Sequence, residues 1–303
     1  MSGPTDAVLI VNTKSRRGRD LFSTAKSILE AEGIHLIHAW AINRPKEVLT
    51  KTREAVTQGI PLVIVGGGDG TLSEVVGSFI GSGSILGVLP LGTGNEFARD
   101  LGIDPDVKTA CHVLISGRVM EVDVGRVDDS YFLNVATVGL TTRIAEGLRS
   151  DEKKRFGRLA YVFALARALT RVRPFRVMLT LPDGVHSFET LQVVVGNGRY
   201  HAGPFPLAPN ATITDGTLTA YAVATTSRWG LLRFALKLPG GHHVDLDEVP
   251  AFTAASMKLE TTPSQRVVAD GEIKYRTPIS FGIAPKSLRV MAPPESPALA
   301  NNP

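Results

Sequence analysis

Apolar residues in the first 120 or so positions alternate between two rhythms. Short solid runs, AVLIVN from Ala7, IHLIHAWAI from Ile34, PLVIVGGG from Pro61 and ILGVLPLG from Ile85, read as buried strands. Between them LFSTAKSILEAEG, PKEVLTKTREAVTQG and TLSEVVGSFIG repeat apolar side chains at three- and four-residue spacing, which predicts helices with one buried face. Strand and helix in this succession predict right-handed crossovers and a doubly wound, mostly parallel sheet covered on both faces. After about Glu121 strands follow strands. FRVMLTL alternates Phe175, Val177, Leu179 and Leu181, and ETLQVVVGN, GTLTAYAVA, SMKLET, QRVVAD and PISFGI continue the pattern. An antiparallel β-sandwich is expected there. The boundary between the halves is placed near Asp123, giving an α/β domain over 1–122 and a β-sandwich domain over 123–286.

The run IVGGGDGTL, Ile64 to Leu72, raises the first chemical question. Pro61 to Val65 reads as a strand, and Thr71 opens a helix whose apolar Leu72, Val75, Val76 and Phe79 share a face, so GGGDGT is a strand-to-helix turn. At such a junction backbone N–H groups and the helix dipole favour a phosphate, and glycines let the backbone approach it. A carboxylate there, Asp69, repels phosphate unless Mg²⁺ or a proton intervenes, so the loop points to a metal-bound nucleotide. LGTGNEFARDLG follows the next strand, with Thr93 or Asn95 as N-cap, and NTKSRRGR follows the first. Loops at the carboxyl ends of neighbouring strands share one crevice. The α/β half is therefore read as nucleotide-binding, although neither GxxxxGK[ST] nor GxGxxG occurs.

Asp-Gly, also the commonest hairpin signal, occurs at Asp69, Asp183, Asp215 and Asp270. Asp183-Gly184 lies between two alternating strands and reads as a plain hairpin. Asp215-Gly216 follows a polar, proline-broken stretch and reads equally as a turn or a metal loop. Asp270-Gly271-Glu272 suits a hairpin, and also the need of phosphoryl transfer for a carboxylate opposite the nucleotide loops. The adjacent His242 and His243, in a glycine-flanked loop, read as solvated, and so does His201.

The length of 303 residues allows about two domains with their own cores. With 33 Lys plus Arg against 29 Asp plus Glu, net charge predicts no nucleic-acid binding. The single cysteine, Cys111, excludes an internal disulfide framework and fits a reducing cytosol. No secretory signal is expected in MSGPTDAVLIVN, and the charge-free run from Val75 to Asn95 is too rich in glycine to span a bilayer as a helix. Nine basic and two acidic residues fall between Arg149 and Arg176. Within them Arg155 to Arg171 is a predicted amphipathic helix, which either packs on its own domain or lies on anionic lipid.

In order along the chain, GGGDGTLSE, PLGTGNEFAR, DVG at Asp123, NGRYHAGPFPLAPNATITDGTL and ADGE at Ala269 resemble the bacterial lipid kinases with a diacylglycerol kinase catalytic domain. The resemblance implies ATP in the first-domain cleft, contacted by Asn12, Thr13, Lys14, Ser15, Arg16, Gly67, Gly68, Asp69, Gly70, Thr71, Leu72, Ser73, Glu74, Gly92, Thr93 and Asn95. It implies a Mg²⁺ site built from the Asp215 carboxylate and main-chain oxygens near Thr212 and Thr217. The catalytic base falls in the DGE element, at Glu272 with Asp270 as the close alternative, while Asp69 supports the metal or its water. The last segment, 287–303, returns to the first domain. Glu96 stands where the family more often has aspartate.

The expected protein is thus an ATP- and Mg²⁺-dependent kinase of a lipid hydroxyl, most simply diacylglycerol giving phosphatidate. It is expected to be cytoplasmic, working at the inner face of the membrane on its lipid substrate; a homodimer is compatible with the sequence. Two rivals stay open: a soluble kinase of the NAD-kinase type with Asp69 as base, and a nucleotide- or lipid-binding regulator without turnover.

Overall fold

The computed structural model describes residues 5–14, 16–140, 173–201, 205–207, 211–225, 227–237 and 242–299. The predicted helix at 155–171 lies outside them. The four apolar runs form β1 (Asp6–Asn12), β2 (His35–Ile42), β3 (Leu62–Gly67) and β4 (Ile85–Pro90). Between them run α1 (Arg16–Ala31), α2 (Pro45–Thr57) and α3 (Asp69–Val76), and β4 is followed by α4 (Glu96–Leu101) and α5 (Val107–Ser116). All four strands are parallel, in the order β2-β1-β3-β4. Burial along the whole of β3 and β4 follows from helices on both faces, α1 beside α5 on one and α2 beside α3 on the other. The helix expected from Thr71 opens two residues earlier, at Asp69, and ends at Val76 before Gly77. Phe79 is buried in the same core but lies beyond the helix.

From residue 118 the described residues are mainly in strands. Their elements are β5 (Arg118–Val127), β6 (Ser130–Phe132), β7 (Val135–Gly139), β8 (Phe175–Leu181), β9 (Gly184–Thr190), β10 (Gln192–Gly196), β11 (Tyr200–His201), β12 (Phe205–Pro206) and β13 (Leu218–Ala222). After the helix α6 (Arg228–Lys237) come β14 (Ala251–Ala254), β15 (Ser256–Thr262), β16 (Arg266–Ala269), β17 (Glu272–Arg276) and β18 (Ile279–Ala292). One antiparallel sheet runs β14-β13-β10-β7-β16-β17. It packs against a layer formed by β9, β8, β15, β18, β5 and β6, with Val177, Leu179, Val193, Val195, Leu259 and Phe281 in the core between them. Phe175, Val177, Leu179 and Leu181 all face that core, as their alternation requires.

The two halves share one hydrogen-bonded sheet. β18 pairs with β5 along most of its length, lies antiparallel to β15 from Ser256↔Gly282 to Leu259↔Ile279, and reaches the parallel strands through Val290↔Leu86. A register shift between Ala284 and Leu288 lets this one strand serve both layers. On the outer face of the second sheet, Leu231 and Phe234 of α6 pack over Val194 and Tyr221.

Candidate active site

Strand order reverses between β1 and β3, so the crevice of the open sheet lies at their carboxyl ends. Three loops meet there. Asn12 ends β1 and donates its Nδ2 to Thr71 Oγ1 at 3.1 Å, tying the first loop to the start of α3. Gly68 and Gly92 bring the other two loops together: a Cβ on Gly92 would lie 2.5 Å from the Gly68 Cα. Leu91 N donates to Gly67 O at 2.9 Å, extending the strand pairing into the loops. The result is a backbone-lined cradle in which the N–H groups opening α3 face outward, the chemistry that holds an anion.

Asp69 has a partner inside this cradle. Its Oδ1 accepts from Phe97 N at 3.3 Å, so the acid of one glycine loop caps the helix that follows the other. Of the two expected N-cap candidates, Thr93 and Asn95, the structure selects the second. Asn95 occupies the cap position in left-handed backbone, φ 51°, and makes no side-chain cap bond. It closes its own loop, accepting from Gly92 N at 2.9 Å and donating to Gly92 O at 3.0 Å.

Asp270-Gly271 is a two-residue hairpin turn between β16 and β17, with Ala269 paired to Glu272 and both turn residues at positive φ. The carboxylate reaches inward. Oδ2 accepts from Leu133 N at 2.7 Å, and Oδ1 from Asn134 N and Val135 N at 3.0 Å each. The Ser73 side chain, on α3, lies close enough to favour its charged form. The turn is half-buried, but its enclosed carboxyl has a raised pKa, because burial outweighs these donors. Glu272, two residues on, is exposed at the start of the edge strand β17.

Asp215-Gly216 forms a compact loop ahead of β13. Asp215 Oδ2 accepts from Thr212 N at 2.9 Å, and Oδ1 from Thr217 N at 2.9 Å and Thr217 Oγ1 at 2.7 Å. Asp123, buried in β5, holds the loop from behind: its Oδ2 accepts from Gly216 N and its Oδ1 from Lys286 N, both at 2.7 Å. Asp215 itself stays exposed. One carboxylate with carbonyl and hydroxyl oxygens is the hard-oxygen donor set that suits Mg²⁺, and Oδ2, which accepts from Thr212 N, keeps further acceptor capacity. Among the described residues no group of three His, Cys, Asp or Glu side chains could hold a metal ion.

Two acids carry more of this junction than their sequence context suggested. Asp123 is the only acid between Val122 and Val124 in an otherwise buried stretch, a signal of a satisfied internal carboxylate. Asp100, on α4, accepts from Arg199 N at 3.1 Å, while its buried Oδ2 has no hydrogen-bond partner among the described residues. Burial pushes the Asp100 pKa up to about 7. It borders a small cavity with about 20 Å³ of room for water, lined also by Tyr200, Thr212 and Pro297.

The other named residues fall as follows. Thr13 is buried, and its N donates to Ile42 O; Lys14 is exposed. Arg16 starts α1, and Ser15 lies outside the described residues. The Leu72 side chain belongs to the core, so only its backbone is available to the loop. Gly70 and Thr93 are exposed, and Glu74 is half-buried on α3. The histidine pair splits: His242 is exposed and 3.1 Å from Asp245, as expected of a solvated residue. His243, by contrast, is fully buried between Tyr221 and Phe234, and burial lowers its pKa to about 4.

Residues 6–127 match the family model of the diacylglycerol kinase catalytic domain, and residues 134–292 that of the YegS C-terminal NAD kinase beta sandwich-like domain. A "Diacylglycerol kinase" of Mycobacterium tuberculosis is 33% identical over 251 residues, 79% of each chain. A "Probable lipid kinase YegS-like" of Klebsiella pneumoniae is 30% identical over 296 residues, covering 97% of this chain and 98% of that one. The crystal structure of a diacylglycerol kinase from Bacillus anthracis str. Sterne superposes with a TM-score of 0.74 at 25% identity, over 96% of this chain and 97% of that one. Another solved chain from the same strain gives a TM-score of 0.85 at 26% identity, over 98% of each.

Proposed function

The chain belongs to the diacylglycerol kinase catalytic-domain family, and from that premise we propose that it transfers the γ-phosphoryl group of ATP to a lipid hydroxyl, most simply that of diacylglycerol, giving phosphatidate. The observation that carries this reading is the approach of the Asp270 carboxyl to the Ser73 side chain. It sets the hairpin of the sandwich against the helix that opens the glycine cradle, which is where an acceptor hydroxyl must meet a nucleotide.

In this reading the backbone of Gly67, Gly68 and Gly92 holds the triphosphate, with Asn12, Thr71 and Ser73 shaping the cradle. Bound Mg²⁺ supplies charge neutralisation on the phosphate oxygens. Asp215, with oxygens of Thr212 and Thr217, holds a Mg²⁺ that orders the junction between the two halves. Asp270 is committed to three backbone donors, which makes it a positioning residue. The exposed Glu272 takes the role of base and accepts the hydroxyl proton. The ATP unit comprises 1–122 with the returning segment 287–303, and 123–286 carries the lipid side.

Labelled-ATP transfer to a panel of lipids in mixed micelles, with NAD as soluble control, tests the proposal. Labelled phosphatidate is expected with wild type, falling about 10²-fold or more in Glu272→Gln. Labelled NADP without labelled lipid overturns the reading in favour of an NAD kinase, and ATP binding without transfer to any acceptor overturns it in favour of a regulator.

A further inference from the structure

Trp229 and Leu236 are the two most exposed large apolar side chains among the described residues, at 76% and 72%. Both belong to α6. They stand seven residues apart, two helical turns, so they lie on one face of the helix. Arg233, four residues after Trp229, lies between them, and Lys237 extends the stripe; both are exposed. The opposite face carries the buried Gly230 and the side chains of Leu231 and Phe234, packed on the sandwich. The outward stripe is therefore surplus to the fold.

Its chemistry selects an occupant. The ten residues of α6 include Arg228, Arg233 and Lys237 and no acid. Arg233 is 3.3 Å from Glu248 and so partly neutralised, which leaves the helix positive overall. An exposed tryptophan and leucine interleaved with basic side chains match the interface of an anionic bilayer, where the rings enter the headgroup boundary and the cations meet lipid phosphate. No described helix is long and apolar enough to cross a membrane, so contact of this kind is made from the surface.

We propose that the Trp229–Arg233–Leu236–Lys237 face of α6 docks the protein on anionic lipid, bringing the crevice to a membrane-borne substrate. This rests on the lipid-kinase reading for its purpose, but its test needs no turnover. Sedimentation with vesicles of phosphatidylcholine and phosphatidylglycerol is compared with pure phosphatidylcholine, for wild type, Trp229→Ala/Leu236→Ala and Lys237→Glu. The double variant is expected to lower partitioning about tenfold or more, and Lys237→Glu about fivefold, with the latter effect fading at high salt. In a Trp40→Phe background, where Trp229 is the remaining tryptophan, its emission should shift to the blue on adding anionic vesicles.

Unchanged partitioning in the double variant overturns the proposal. So does blue emission before vesicles are added, which would mean that another part of the chain covers the face. Self-association that the double variant abolishes, without any vesicle binding, would assign the face to a second copy and likewise overturn it. Circular dichroism and transfer to a short-chain, water-dispersed lipid check that the variants fold. If no lipid is phosphorylated while vesicle binding still depends on Trp229 and Leu236, the docking surface stands and only the kinase reading fails.

Discussion

The Asp270 carboxyl lies against the Ser73 side chain, bringing the hairpin of the β-sandwich to the helix behind the glycine cradle. Asp270 also takes the backbone N–H groups of Leu133, Asn134 and Val135, so one side chain ties the segment that enters β7 to the hairpin.

Truncating this hub should cost more than removing the neighbouring acid. Asp270→Ala leaves three enclosed N–H donors without their acceptor and is expected to lower stability by about 3 kcal/mol, against about 1 kcal/mol for Ser73→Ala. Glu272→Gln, at an exposed position, should change stability by less than about 0.5 kcal/mol while removing activity. Urea midpoints beside transfer assays separate the two roles, and equal stability losses for Asp270→Ala and Glu272→Gln would refute the division.

The contact between the glycine loops makes a second, sharper contrast. A methyl on Gly92 would meet the Gly68 Cα at 2.5 Å, a backbone atom that yields only if the loops separate, whereas a methyl on Gly70 meets nothing within 4 Å. Gly92→Ala should weaken ATP binding about tenfold or more, and Gly70→Ala by no more than about twofold, as read by calorimetric titration.

Stability should depend on pH through Asp100. Its carboxyl ionises near the ordinary 3.8 in the unfolded chain and near about 7 in the folded one. Below about pH 4 it is protonated in both states, and its stabilising contribution is fully present. As pH rises towards 7 the unfolded chain gives up the proton first, so stability falls, and above about 7 the folded carboxylate must be charged in an enclosed site. Asp100→Asn should therefore raise stability at about pH 8 by on the order of a few kcal/mol and flatten the slope between about pH 4 and 7. Part of the slope should persist, because Asp270 is raised in the same direction. Denaturant unfolding across that range checks it, and an unchanged slope in Asp100→Asn would refute it.

Metal removal should be felt at the Asp215 loop. With Mg²⁺ at about a hundredfold above its dissociation constant, thermal unfolding should be delayed by an amount equivalent to about 3 kcal/mol relative to chelator. Asp215→Asn should abolish the difference between the two conditions. An undiminished Mg²⁺ response in that variant would place the ion elsewhere.

Much of the fold was legible because its signals are local and periodic. Solid apolar runs predicted β1, β3 and β4, and alternation in FRVMLTL predicted the inward side chains of β8. The hairpin expected at Asp183-Gly184 joins β8 and β9, with Pro182 and Asp183 as its turn residues and Gly184 already paired to Leu181, whereas Asp270-Gly271 is itself the turn between β16 and β17. The histidine pair shows where such signals stop: His242 and His243 share one local sequence, yet one is exposed and the other sits between two aromatic rings.

By itself, the sequence determined the strands, the strand-to-helix character of GGGDGT and the hairpin at Asp270, since each depends on backbone preference and spacing within a few residues. Tertiary structure alone decided what the carboxylates do. Asp69 supplies the cap bond to α4 that Asn95 does not make, Asp123 holds the Asp215 loop together with the bulge at Lys286, and Asp270 gathers donors from the turn after β6 and the start of β7. The physical reason is that a buried carboxylate must find its donors wherever packing places unpaired N–H groups, and those groups come from segments far apart in the chain.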